Sequence, residues 1–206
     1  MAKTTCKKFT YAKYSSGGDG SAMAYTGGKM LADYLAKVDI TEERAEENEY
    51  ADGHKIDSEK IATGVTMALE LVNNDDDIRK DVLGMATGTD SELLLTEADP
   101  PFVGAGVIMA NRHKGTVKWE AIWIYKVQFT TGGVSAETRR ERTTWQHETI
   151  NGAAVGVQLT SGGDVCFYAY KSNMATEAAA ETWLKGHAGI STQGGGGGQS
   201  GQSGQT

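Results

Sequence analysis

The chain reads as mostly β: two packed antiparallel sheets, in a sandwich or half-barrel, with one flanking helix and a long extended arm. Three observations predict this. Apolar residues recur at period two in several segments, and clusters rich in Gly and Asp separate those segments. Only "ATEAAAETWLKG" reads as a clear helix, with good helix formers, Trp183 and Leu184 on one side, and Gly186 as a stop.

The elements follow in order. "KKFTYAKYSS" alternates Phe9, Tyr11 and Lys13 against Thr10, Ala12 and Tyr14, then breaks at Gly17-Gly18-Asp19-Gly20. "SAMAYTGGKML" reads as a short second strand with a Gly-Gly turn. Residues 39–60 carry nine acids against Arg44, Lys55 and Lys60, a local net of −6. The Asp52-Gly53 pair there signals a hairpin turn, so an extended two-stranded arm fits; an acidic helix over 41–49 is the rival. "IATGVTMALEL" is a core strand. "NNDDD" can cap a short helix through "IRKDVLG", with its acids at the positive end of the dipole and Gly84 as the stop.

"PPFVGAGVIMANR" pairs as a hairpin, across "HKGT", with "VKWEAIWIYKVQF". In the latter the odd positions form an apolar row, yet Ile122 and Ile124 stand among the even, polar ones. A half-buried strand needs one apolar face, and this one is about twice the usual ~5–6 residues. The second face calls for cover from a helix of the same chain or from a neighbouring subunit. "RRERTTWQHETINGAAVGVQL" and "DVCFYAYKS" supply further strands. Residues 1–190 then form one domain, and the Gly/Gln/Ser-rich 191–206 a flexible tail.

Composition narrows the functions. A formal charge of −7 over 206 residues argues against a surface that grips nucleic acid or an anionic membrane. No signal peptide or membrane span is visible. Cys6 and Cys166 read as buried reduced thiols. His54, His113, His147 and His187 fall in no metal-binding spacing and read as solvent-facing polarity, so no metal is expected. "GGKM" lacks the glycine and hydroxyl of a phosphate loop, and no GxSxG elbow exists. "RRER" at 139–142 reads as a rim salt-bridge cluster. The expectation is no cofactor and no enzyme.

One ordered set of segments carries a resemblance. These are the arm ending "EYADGHKIDSEK", the core strand, the short helix ending "IRKDVLG", "PPFVGAGVIMANRHKGTVKWEAIWIYKVQFTTGG" and "SAETRRERTTWQHETINGAAVG". The chain resembles the major tail tube proteins of long-tailed, non-contractile bacteriophages over roughly residues 4–185. The most specific pieces are Tyr50-Ala51-Asp52, Leu83-Gly84 and Pro101 to Phe129. Many relatives add an immunoglobulin-like domain where this chain has its Gly/Gln/Ser tail, and the "TETW"-like ending differs.

The resemblance implies a tail-tube fold, assembling with itself as hexameric rings stacked into a hollow tube that double-stranded DNA transits. It implies a place in the virion tail, synthesis in the host cytoplasm, and partners among tape-measure, tail-tip and tail-terminator proteins. Glu46, Glu49, Tyr50, Asp52, His54, Ile122 and Ile124 are the candidate subunit-interface residues. A related secretion-system or tail-like tube shares the architecture. A β-sandwich binding module using Trp119, Trp123 and Tyr125 as a platform is the other rival.

Overall fold

The computed structural model describes residues 2–51, 54–73, 75–113, 115–131 and 147–191. β1 (Ala2–Ser16) leads through the Gly17–Gly20 turn, where Gly17, Gly18 and Gly20 all hold positive φ, into β2 (Ala24–Leu31). β3 (Leu35–Ala51) and β4 (His54–Leu71) form a long hairpin. α1 (Asp76–Asp81) follows, and then β5 (Ala86–Thr87) and β6 (Leu93–Leu94) pair with each other alone. β7 (Phe102–His113) and β8 (Thr116–Thr131) make the expected hairpin. β9 (Glu148–Ala154), β10 (Val157–Gln158), β11 (Val165–Cys166), β12 (Tyr168–Met174) and α2 (Glu177–His187) complete the chain.

The mostly-β expectation holds, in its half-barrel form. The large strands join one antiparallel sheet in the order β2-β1-β7-β8-β9-β4-β3, with β12 also on β8. Hydrogen bonding thus makes one continuous sheet of what the sequence suggests as two. The sheet forks along β8: Trp119–Ile124 pair with β12, and Val127–Thr131 pair with β9. It also curls, so that Phe9, Val107 and Ile124 pack in one core with Val65, Met67 and Leu69 of β4. Where the two ends approach, Cys6 Sγ lies 3.8 Å from the Ala36 carbonyl oxygen.

A bulge settles why β8 is apolar on both faces. Val103 pairs with Val127 but Ala105 pairs with Ile124, so Gly104 alone faces Tyr125 and Lys126. That extra residue exchanges the faces of the strand. Before it, Ile122 and Ile124 point into the barrel core while Ala121, Trp123 and Tyr125 point at α2; after it, Val127 and Phe129 enter the barrel core. The unbroken odd-numbered row of the sequence is therefore divided between two cores.

The helices hold by local chemistry and by packing. Asp75 caps α1, its side chain accepting from the Ile78 N–H at 3.1 Å, and Ile78 is fully buried. Gly84, with φ 71°, ends that segment as expected. Asp81 fastens α1 to the sheet through Lys13 at 2.6 Å and Lys29 at 3.0 Å. Burial pushes the Asp81 carboxyl up, but these two ammonium groups outweigh it and hold it below its ordinary value. Thr176 caps α2, and Ala180 and Leu184 bury its inner face. Gly186 does not stop α2, contrary to expectation. The helix continues to His187, and the left-handed residue is Gly189, φ 66°.

Candidate functional site: an extended arm and a basic sheet end

The predicted arm exists as strand. β9 covers β4 only over Val65–Leu71, and beyond Val65 toward His54 the register pairs β4 with β3 alone. Those eleven residues of β4, at ~3.3 Å each, carry the hairpin about 35 Å past the sheet's paired region. The rival acidic helix is excluded for the described residues. Its failure has a physical reason, because a helix would set Glu42 against Glu46 and Glu43 against Glu47 one turn apart. The ladder instead offers cross-strand partners.

At the base of the arm, the Tyr168 hydroxyl donates to Glu42 and the Arg44 guanidinium donates to the same carboxylate at 2.7 Å. The Tyr168 hydrogen bond first, and then Arg44, hold the Glu42 carboxyl below its usual value. Further out, Glu46 meets Lys60 at 3.3 Å and accepts from Ser58 at 3.1 Å. Past that pair the register places Glu47 opposite Glu59. Like charges directly opposed across a ladder destabilise it.

Of the candidate interface residues, Glu46 and His54 are exposed on the arm, and Glu49 and Tyr50 lie in β3. Asp52 lies outside the described residues, as do the 139–142 cluster and the 192–206 part of the tail. Ile122 and Ile124 are 6% and 0% exposed within this single chain. Their cover is the chain's own curled sheet, so neither requires a neighbouring subunit. Ile122 borders a cleft of about 240 Å³ where the barrel fails to close, together with Lys3, Ile40, Glu42, Tyr168 and Tyr170. Burial, then the nearby Glu120 carboxylate, push the Tyr170 hydroxyl up to about 12.

A second feature was not foreseen in the sequence. Lys3 pairs with Asn111, and Asn111 with Lys118, so two ammonium groups flank Asn111 in one row across β1, β7 and β8. Arg112, the next residue along β7, alternates to the opposite face. Asn111 itself is buried, and its Oδ1 has no hydrogen-bond partner among the described residues. These cations come from chain positions more than a hundred residues apart, so no local pattern marks them.

The histidine expectation needs correction at one position. His187 is half-buried and packs against Trp123, Tyr125 and Trp183. Cys6 and Cys166 are both free and half-buried. Among the described residues no group of three or more His, Cys, Asp or Glu is placed to hold a metal ion. No helix among them is long and apolar enough to cross a membrane. No protein-family model matches the chain, and no curated protein matches it.

Proposed function

We propose that this chain is a structural subunit that assembles with copies of itself into the hollow tail tube of a long-tailed, non-contractile bacteriophage. The observation that carries the reading is the β3–β4 arm. Among the described residues it is a two-stranded ribbon whose strands beyond Val65 pair only with each other, and its exposed Ile61 has no cover within the chain. An isolated two-stranded hairpin is marginal in water, and open edges invite pairing with another chain. Such a ribbon gains stability when a neighbour completes it. Rings of subunits stacked around a lumen supply that neighbour, and a net negative subunit suits a passage that double-stranded DNA must transit without sticking. Tape-measure, tail-tip and terminator proteins are then its further partners, and the virion tail its place.

A carbohydrate-binding module is disfavoured by a specific observation. Trp123 is fully buried and Tyr125 nearly so, with the indole N–H of Trp123 donating to the Tyr25 hydroxyl at 3.3 Å. Trp119 is only half-buried, but the Lys7 ammonium sits 5.3 Å from its ring centroid, so the three rings present no shared platform. Negative-stain microscopy of the concentrated full chain tests the proposal directly. Tubes or rings with a central hole are the expected result, and a monodisperse monomer at every concentration overturns it.

A further inference from the structure

Two charge features of this chain are left unanswered within it. On the arm, Glu47 and Glu59 stand directly across from one another, both exposed and neither in an ion pair among the described residues. At one end of the sheet, Lys3 and Lys118 flank buried Asn111 on one face, and neither forms an ion pair among the described residues. Two acids lie near that cationic row, and neither neutralises it. Glu120, two residues from Lys118, is buried with Oε2 lacking a hydrogen-bond partner; Glu42, across the cleft from Lys3, is committed to Arg44 and Tyr168.

We infer that the Glu47/Glu59 face of the arm docks on the Lys3–Lys118 pair beside Asn111 of a second copy of this chain. The inference rests on the self-assembly reading and specifies its contact. The arm is destabilised by its own charges when alone, and cations from outside relieve that repulsion. Direction adds a constraint. β4 and β8 are both antiparallel to β9, so they run the same way, and the arm and the basic row leave the sheet at the same end. The two patches differ, so the contact is heterologous and propagates from copy to copy. Because both lie at one end, it joins copies side by side within a layer rather than end to end between layers. Rotation at each step closes such a layer into a ring.

The test is a charge swap in the full chain. One variant carries Glu47→Lys with Glu59→Lys, and the other Lys3→Glu with Lys118→Glu; circular dichroism and melting verify that both fold. By sedimentation velocity each alone is expected to associate at least about tenfold more weakly than wild type. An equimolar mixture of the two is expected to recover association, with the recovery lost at high salt. If wild type assembles and the reversals do not weaken it, this contact is wrong while the tube reading stands. If both reversals weaken assembly but the mixture does not recover, the pairing is also wrong. If EDTA disperses wild-type assemblies in that case, a divalent cation holds the acids. A wild type that never self-associates overturns the tube reading, and this contact with it.

Discussion

His187 lies stacked over Trp123, ring centroids 6.3 Å apart and planes inclined by 24°. Trp183 stands at 4.4 Å and Tyr125 at 6.2 Å, so the imidazole sits in an aromatic pocket between α2 and β8. Two effects act on its charge. A cation over an aromatic face gains roughly 0.5–1 kcal/mol at an exposed site, and removal from water opposes it. Burial prevails and lowers the His187 pKa. The folded state therefore binds fewer protons than the unfolded chain. Stability is complete above the unfolded value near 6.5 and falls as pH drops from there toward the lowered folded value. Between about pH 7.5 and about pH 5.5 wild type should lose more melting temperature than His187→Phe, which keeps a ring and cannot charge. Equal losses in the two proteins would show that His187 titrates freely.

Ile124 gives a prediction that separates core from interface. It is fully buried in the isolated chain against β4 and β7. Ile124→Ala should therefore cost the dispersed subunit about 2–5 kcal/mol in urea unfolding. Ile122→Ala should cost less, because Ile122 borders the open cleft. A subunit whose stability is unchanged by Ile124→Ala would place that side chain outside the fold's core.

Gly106 is predicted to tolerate no side chain. A Cβ there would lie 2.5 Å from the Ile122 carbonyl oxygen, 2.7 Å from Leu184 Cδ2 and 2.8 Å from Trp123 Cε3. The backbone oxygen cannot move without breaking the β7–β8 ladder. Gly106→Ala should cost about 1–3 kcal/mol and shift Trp fluorescence as α2 is lifted from the sheet. Gly186→Ala is the control. Nothing stands near its Cβ position, and the residue lies inside α2, so the change should be stabilising by about 0.5–1 kcal/mol.

What the sequence disclosed was local. The β7–β8 hairpin, the Asp75 cap and the positive-φ Gly84 are each written within a few residues of where they act. The arm was legible only in part, since Asp52-Gly53 signals a turn but the acidic run left a helix over 41–49 open. The bulge at Gly104 was not legible, because alternation runs unbroken from Val117 to Phe129. Only the partner strand's register exchanges the faces. Lys3 and Lys118 likewise meet through pairing on both sides of Asn111, which no short window contains. Gly186 misled because a glycine on the outer side of a well-capped helix can remain helical. His187 misled because two rings of its pocket, Trp123 and Tyr125, come from β8, more than fifty residues away.

The arm supplies the prediction that bears most directly on assembly. Proteolysis needs a segment that opens into a protease's cleft, and the cost of opening is set by the hydrogen bonds and packing that must break. The sheet's central strands must break ladders on both sides and expose core residues such as Phe129 and Trp123. The arm must break only the bonds between β3 and β4, and its residues 41–48 and 58–63 are exposed. Glutamates are dense there, so a Glu-specific protease should cut the dispersed subunit first within 42–59, leaving two fragments held together by the barrel core. In assembled material the same bonds should resist, because a docked arm opens only after a neighbour releases it. Mass spectrometry of a digestion time course on both forms reads the difference. Equal cleavage in the two forms would mean that the arm stays uncovered on assembly.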